Sequence, residues 1–311
     1  MSITLDNLKL RSISVQTVHF LKEGQNPNEI NWQKDGYLGI EAYEGFNAWY
    51  GRVSLEEYRK YWPHDGIQSD LSRFDELIKL LRPIPRDTIY PKFPTHDLTL
   101  YKPEQEGNNA AIHLKAPNLS HYQDNSSDDI AMRLLNEARI HEAILRDPHP
   151  NLGSYLGCVE EEGRLVRLAF KKYSTTLYNV IQYGVPGEFT AQQYMECIDQ
   201  VEAAAAHLHS LGLAHNDISP SNIMLNNTGL AILIDFDSCA PLGSPLTKGG
   251  LVTGWKGPLV GEGLQFKESS IECDKMAVRE IRNYLMEQDG QCREIEERRG
   301  SIEGSKGVLG K

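Results

Sequence analysis

The hydrophobic and polar positions in the middle of the chain predict two pairs of strands. Apolar and β-branched residues fill 98–101 and 110–115, on either side of a polar turn that contains Gly107. A similar composition recurs at 153–159 and 165–170. These four segments predict a β-rich region in this part of the chain.

Helical periodicity separates these strand pairs and follows them. One predicted helix ends at Asp147 and Pro148, and its inward side carries Ile130, Leu134, Ala138 and Leu145. A longer amphipathic helix should open at a capping box of Thr190 and Gln193 and end at Gly212. Its apolar stripe consists of Tyr194, Ile198, Val201, Ala205 and Leu208. A third helix is predicted from about residue 273 to residue 286.

Residues 1–84 carry a different pattern, which predicts a small αβ extension. Strands are predicted at 13–21 and 37–43, and a helix with the spacing of Leu71, Phe74, Leu77, Ile78 and Leu81 should end at Pro83. Aromatic residues are frequent here: Trp49, Tyr50, Tyr58 and Trp62. These residues form either the core of the extension or a binding face, and the tendency of aromatic side chains to be buried favours the core.

Composition and charge exclude several classes of protein. Of the 311 residues, 40% are hydrophobic and 24% charged, which is typical of a globular chain. The net charge of −11, without a Lys/Arg cluster, argues against a nucleic-acid partner. Five cysteines without CxxC spacing predict free thiols in a reducing compartment. Without a secretory signal or a membrane-spanning apolar run, we expect an intracellular protein of cytoplasm or nucleus, with no membrane partner.

One polar stretch carries the candidate chemistry. Residues 215–237 read HNDISPSNIMLNNTGLAILIDFD and contain Asp217, Asn222 and Asp235. A carboxylate can accept a hydrogen bond from a hydroxyl nucleophile and orient it, while carboxylate and amide oxygens are hard ligands that suit Mg²⁺. Each residue alone could be an ordinary turn or cap residue, since Asp and Asn favour such positions. Together they predict a phosphoryl-transfer site.

The order of these elements and residues resembles a eukaryotic protein-kinase domain over residues 85–287, and is closest to divergent kinase-like proteins of filamentous fungi. By this resemblance Asp217 is the catalytic acid, and Asn222 and Asp235 bind the metal, with the 18-residue spacing from Asp217 to Asp235 that is usual in the family. Lys115, in AAIHLKAP, corresponds to the lysine that holds the ATP phosphates. Glu137, in LLNEARIHEAI, corresponds to the glutamate that pairs with that lysine.

The resemblance implies an α+β, two-lobed protein-kinase-like fold. We expect a β-rich N-lobe at 85–172 and a helical C-lobe at 173–287, shortened after the helix that carries Asp274. Asp274 corresponds to the acid that anchors the catalytic loop. The αβ extension at 1–84 would precede the two lobes, and a flexible tail would follow at 288–311.

The chain departs from the family pattern at several positions. Gly107 is the only glycine between Pro94 and Lys115, so the Gly-rich phosphate loop is missing. Asn216 stands where many kinases carry Arg, which predicts activity without an activation-loop phosphate. Ser219 replaces the catalytic-loop lysine. Asp237 replaces the glycine of DFG, and a solvent-facing role is favoured for it over a role at the metal.

These residues lead to one preferred function and two alternatives. The preferred function is a divergent serine/threonine-type protein kinase of weak activity that transfers the γ-phosphoryl group of ATP to a protein hydroxyl with Mg²⁺. ATP and a protein substrate are then the expected partners. A pseudokinase that acts as a binding or scaffold module is favoured by Ser219 and the missing Gly-rich loop. A small-molecule phosphotransferase, similar to choline or aminoglycoside kinases, would carry the same HxDxxxxN segment.

Overall fold

The strands and helices of the chain form an α+β fold. The computed structural model describes residues 16–18, 37–54, 56–57, 79–94, 96–103, 112–119, 122, 130–183, 189–252 and 264–287. The strands are β1 (Gln16–Val18), β2 (Tyr37–Glu44), β3 (Asn47–Ser54), β4 (Arg82–Pro83), β5 (Ile112–Lys115), β6 (Tyr155–Glu161), β7 (Arg164–Lys171), β8 (Thr175–Thr176), β9 (Leu213–Ala214), β10 (Ile223–Leu225), β11 (Ala231–Leu233), β12 (Ala240–Pro241), β13 (Leu251–Val252) and β14 (Leu264–Gln265). The helices are α1 (Arg86–Ile89), α2 (Ile130–Arg146), α3 (Leu177–Tyr183), α4 (Ala191–Ser210) and α5 (271–287), with a short 3₁₀ helix at Pro220–Asn222.

The described residues fall into two compact units. Unit 1 takes its residues from Met1–Thr95, Lys115–Leu135 and Val159–Arg167, and unit 2 from His96–Leu114, Asn136–Cys158 and Leu168–Lys311. The domain boundaries predicted at residues 84, 172 and 287 stay a prediction.

Unit 1 contains an antiparallel sheet in the order β1-β2-β3-β4. The β2–β3 hairpin turns at Gly45, whose φ of 58° lies in the left-handed region that glycine adopts without strain. The hairpin has buried residues on both faces: by the strand register, Ile40, Ala42 and Val53 share one face, and Ala48 and Tyr50 share the other. Tyr50 is therefore a core residue, as predicted, whereas Tyr58 and Trp62 lie outside the described residues. The strand β3 was not predicted.

The proline-rich segment after β4 packs closely within unit 1. Ile89 and Tyr90 are fully buried. Arg164 donates a hydrogen bond to the carbonyl oxygen of Tyr90 at 2.8 Å, and the N–H of Leu165 donates to the carbonyl of Pro91 at 3.0 Å. This segment is therefore packed within unit 1.

Three of the four strands predicted in the middle of the chain are confirmed, as β5, β6 and β7, which form a sheet in the order β5-β7-β6. The strand predicted at 98–101 is wrong, because only Leu100 forms an isolated bridge, with Cys158. The N–H of Thr99 donates instead to the carboxylate of Glu142 at 2.6 Å. A side chain therefore uses the donor that a neighbouring strand would otherwise take.

The predicted helix before Asp147 is confirmed as α2, but its buried side is centred differently. Leu145 is 42% exposed, while Ile144 is buried. Glu137 and His141 lie at the middle of the buried stripe, at 4% and 1% exposure. Because these two residues are polar, the hydrophobic pattern did not include them, and the predicted inward face of α2 was centred slightly away from the observed buried face.

Helix α4 lies at the centre of the core of unit 2. The predicted capping box is present: the N–H of Gln193 donates to Thr190 Oγ1 at 3.2 Å, and the N–H of Thr190 donates to Gln193 Oε1 at 2.9 Å. Gly212 follows the helix with a φ of 76°. The apolar face of α4 packs with β10, β11 and α5 in one cluster. Helix α3 was missed, because two turns give too short a periodic pattern.

No helix among the described residues has both the length and the apolar composition needed to cross a membrane.

The buried cysteines lead to a prediction about thiol reactivity. Cys158, Cys197, Cys239 and Cys273 are buried free thiols. Burial raises the pKa of Cys197 to about 11 and the pKa of Cys158 and Cys273 to about 12, and it raises the pKa of Cys239 as well. Because the thiolate is the reactive form, we expect iodoacetamide at pH 8 to leave these four thiols unmodified in the folded protein and to modify them all in denaturant. Mass spectrometry of the peptides measures this, and rapid native labelling of any of the four would contradict it.

Candidate active site

The loop between β9 and β10 holds Asp217 and Asn222 against each other. The amide nitrogen of Asn222 donates to the backbone carbonyl of Asp217 at 2.8 Å and to its carboxylate oxygen Oδ2 at 3.1 Å. The amide oxygen of Asn222 then points away from Asp217. That oxygen is the atom of Asn222 that a hard cation would take.

His215 connects this loop to the segment that carries Asp235. Its Nδ1 accepts the N–H of Asp217 at 3.3 Å, so the proton lies on Nε2, which donates to the carbonyl oxygen of Ile234 at 3.0 Å. The ring is completely buried. His215 thereby fixes the loop relative to the residue that precedes Asp235.

A second connection joins the two candidate metal ligands. The N–H of Ile234 donates to the carbonyl oxygen of Asn222 at 2.9 Å. Asp235 itself has a φ of 65°, in the left-handed region that residues other than glycine seldom adopt. Such strained backbone is held only where the surrounding structure enforces it, and it is concentrated at functional sites.

The site concentrates negative charge around Asp217. Burial raises the pKa of Asp217, and the carboxylates of Asp235 and Asp237 raise it further, while His215 and Lys248 oppose the rise. Like charges close together are unfavourable unless a cation balances them. The arrangement therefore favours binding of a cation beside Asp217.

Asp274 on α5 anchors the loop between β9 and β10 from within the core. One carboxylate oxygen accepts the N–H of His215 at 2.8 Å, and the other accepts the N–H of Asn216 at 2.8 Å. The Nε2 atom of His209 also lies 2.9 Å from Asp274. Asp274 is 1% exposed, and its position agrees with the anchoring role that the resemblance implied.

Asn216 binds three segments of the chain, a role that the sequence did not reveal. Its amide nitrogen donates to the carbonyl oxygens of Ala214 at 2.8 Å and Ser238 at 3.2 Å, and to Ser269 Oγ at 3.0 Å. Its amide oxygen accepts the N–H of Ser270 at 3.3 Å. A neutral side chain thus joins these segments from a position at which many kinases carry Arg.

The prediction that Asp237 faces solvent is wrong. Its side chain is 13% exposed and forms an ion pair with Lys248, whose side chain is 25% exposed. Pairing with a cation lowers the cost of burying the carboxylate, and this explains the difference. Lys248 was missed because it lies in a loop with no recognised motif. The sequence feature that could have indicated Lys248 is the pair of glycines that follows it, Gly249 and Gly250.

A group of aromatic rings connects α2 with the site. The ring of His141 lies 4.9 Å from that of Phe236, 4.7 Å from that of Phe170 and 5.1 Å from that of Tyr155. Phe236 also contacts the ring of His215 at 5.1 Å. His141 is buried, and its ring contact with Phe236 supports the segment between Asp235 and Asp237.

The remaining predicted site residues, Lys115 and Glu137, lie in different units. Lys115 is the last residue of β5 and is half-buried, in unit 1. Glu137 is buried in α2, in unit 2, with its Oε1 3.8 Å from Nε2 of His141. Their pairing stays a prediction. The turn around Gly107 lies outside the described residues.

Several known proteins are similar to parts of this chain. The family model described as "Protein kinase domain" matches residues 99–256, about half of the chain. The MAP kinase kinase kinase win1 of Schizosaccharomyces pombe is 31% identical over 102 residues, which cover 32% of this chain and 7% of that protein. The nitrogen permease reactivator protein of Saccharomyces cerevisiae is 24% identical over 127 residues, 41% of this chain and 15% of that protein.

Among solved structures, that of the yeast RNA Pol II CTD kinase CTDK-1 complex is similar at 18% identity and a TM-score of 0.34, over 43% of this chain and 40% of that one. The two curated relatives are much longer than the segments that they share with this chain. The similarity therefore concerns one domain and not the whole of either relative. With the family model matching residues 99–256, the chain belongs to the protein kinase domain family.

Proposed function

We propose that this domain is a serine/threonine-type protein kinase that transfers the γ-phosphoryl group of ATP to a protein hydroxyl. The observation that carries the proposal is the pair of hydrogen bonds from Asn222 to Asp217. They hold a carboxylate and an amide group in one loop, which a backbone hydrogen bond joins to the residue before Asp235. A phosphoryl-transfer site needs this combination of groups.

The residues present fit a magnesium ion. Asn222 and Asp235 offer an amide oxygen and a carboxylate, which are hard ligands of the kind that Mg²⁺ prefers. Among the described residues, no three His, Cys, Asp or Glu side chains converge to enclose a metal by themselves. Magnesium in such sites is commonly held by one or two carboxylates together with the phosphates of its substrate.

Asp217 is the residue that would act on the acceptor. Its carboxylate would accept a hydrogen bond from the substrate hydroxyl and direct that oxygen at the phosphorus. Asn222, His215 and Asp274 keep the loop in place through the bonds described above. When bound, Mg²⁺ would neutralise charge on the phosphate oxygens. As a further part of the proposal, Lys115 would contribute a positive charge on the other phosphates of ATP.

A binding module without transfer activity is the second candidate. Ser219, which is half-buried in the catalytic loop, supplies no positive charge where the family has a lysine. A pseudokinase would keep nucleotide or protein binding and lack the transfer step. The two candidates differ in whether phosphate appears on an acceptor.

The test compares the protein with Asp235→Asn and with a surface control, Asp199→Asn, whose side chain is 66% exposed. We expect Mg²⁺-dependent transfer from labelled ATP to a generic protein acceptor, lowered by about 10²-fold or more in Asp235→Asn and unchanged in the control. Removal of Mg²⁺ with EDTA should have the same effect as Asp235→Asn. Nucleotide binding without transfer would favour the binding module, and transfer to small alcohols alone would favour a small-molecule phosphotransferase.

A further inference from the structure

Lys248 brings a positive charge to the catalytic loop from outside it. Its ammonium forms an ion pair with Asp237, the third residue of the DFD segment, eleven residues earlier in the chain. Asp237 lies two residues after Asp235, so Lys248 is paired with the segment that would hold the metal.

The backbone after Lys248 fixes this position. Gly249 and Gly250 have φ values of 72° and 76°, and the N–H of Gly250 donates to the carbonyl oxygen of Asn216 at 2.7 Å. A Cβ atom at Gly249 would lie 2.7 Å from that oxygen and 2.8 Å from Cβ of Ser238. Only glycine fits such close backbone approach at positive φ. The two glycines thus allow close backbone contact with the catalytic loop, and this contact places Lys248 beside the loop.

The catalytic loop itself lacks the positive charge that the family provides. Ser219, two residues after Asp217, stands where the family has a lysine. Its carbonyl oxygen accepts the N–H of Asn222 at 2.9 Å, so its backbone keeps the turn of the loop. The geometry of the loop is retained, and only the charge is missing from it.

We propose that Lys248 is the phosphate-binding cation of this site and replaces the lysine that is missing at Ser219. It would bind the γ-phosphoryl group of ATP, and Asp237 would hold its ammonium in place. The proposal rests on the proposed function and names one more residue of the same site. A lysine can do this from another segment, because an ammonium acts as a point charge at the end of a flexible chain.

Lys248 takes part in the transfer without forming a bond. The bond between the γ-phosphorus and the oxygen that bridges it to the β-phosphate breaks, and a bond forms between that phosphorus and the acceptor oxygen. The hydroxyl proton passes to Asp217, and the bridging oxygen leaves with ADP. Its ammonium would balance negative charge on the γ-phosphoryl oxygens.

The test measures nucleotide affinity as well as transfer. We compare the full chain with Lys248→Met, which keeps the length of the side chain and removes its charge, and with Lys275→Met, an exposed control on α5. Calorimetry in the presence of Mg²⁺ measures the two affinities. Lys248→Met should lower the affinity for ATP by about tenfold and leave the affinity for ADP within about twofold, because only ATP carries the γ-phosphate. The control should change neither affinity. Adding Ser219→Lys to Lys248→Met should restore the preference for ATP and the transfer rate.

The outcomes separate this proposal from the proposed function. If the unchanged protein transfers phosphate and Lys248→Met keeps its preference for ATP, Lys248 is not the phosphate-binding cation and the kinase assignment stands. If Lys248→Met transfers faster, the ion pair blocks the site and the proposal is wrong. A preference for ATP that depends on Lys248, without any transfer, supports the proposal and refutes the kinase. An unchanged protein that binds no nucleotide refutes both. Melting temperatures show that each variant is folded. If Lys248→Met alters the loop, the Ser219→Lys rescue shows whether the lost positive charge or the altered loop lowers the ATP affinity.

Discussion

Asp217→Asn should lower phosphoryl transfer by about 10²–10⁴-fold, the range typical of a lost general base. The amide keeps the size of the carboxylate and can still accept the hydrogen bond that Asn222 donates to Oδ2. The amide is a poor acceptor for the proton of a substrate hydroxyl. The substitution should therefore lower the rate of the chemical step. Single-turnover measurements with ATP and a protein acceptor test this, and calorimetry should show ATP affinity within about twofold of the unchanged protein.

The stability of the same variant distinguishes a catalytic role from a structural one. Burial raises the pKa of Asp217, so folding favours the protonated form, and above that pKa the charged carboxylate lowers the free energy of unfolding. An uncharged Asn removes this cost at neutral pH, so the melting temperature should stay equal or rise. Equal transfer rates in the two proteins would remove the assignment of Asp217. A large fall in melting temperature would attribute lost activity to unfolding.

Asp274→Ala should lower the free energy of unfolding by about 3–5 kcal/mol, because three nitrogen atoms lose a buried charged acceptor together. Two of these nitrogens belong to the backbone of the catalytic loop, at His215 and Asn216. Leaving such groups buried without a partner costs more than the bonds themselves contributed. Urea unfolding, followed by circular dichroism, measures the change.

A matched control for Asp274 is Asp199→Asn. Asp199 is exposed and pairs with Arg282 at 2.9 Å on the surface. Exposed ion pairs contribute about 0–1 kcal/mol, so this variant should unfold close to the unchanged protein. If Asp274→Ala also lost less than about 1 kcal/mol, the anchoring role of Asp274 would be contradicted.

The candidate catalytic loop could be identified from the sequence because its residues lie close together in the chain. Asp217, Asn222 and Asp235 lie on one short stretch, and a loop and a hairpin suffice to bring them together. Asp274 could be identified only through the resemblance, because it is far from the loop in sequence. Its three hydrogen bonds are tertiary contacts that no periodic pattern indicates.

The parts that could not be predicted depend on side chains whose type suggests another environment. Glu137 and His141 are polar, yet they lie at the centre of the buried stripe of α2. Asn216 suggested only the loss of a guanidinium, although its amide binds three segments. The ion pair of Lys248 with Asp237 depends on the positive φ of two glycines and on backbone contacts with Asn216, and neither follows from composition or periodicity.

The bonds of Asp274 impose an order of events while the chain is being synthesised. The ribosome adds His215 and Asn216 59 and 58 residues before Asp274. Until α5 has emerged, the two backbone N–H groups lack the carboxylate that accepts their hydrogen bonds. Burying these groups without an acceptor would cost free energy. A nascent chain stalled ahead of α5 therefore leaves its catalytic loop open to water. Release of α5 from the ribosome is the event that completes the loop.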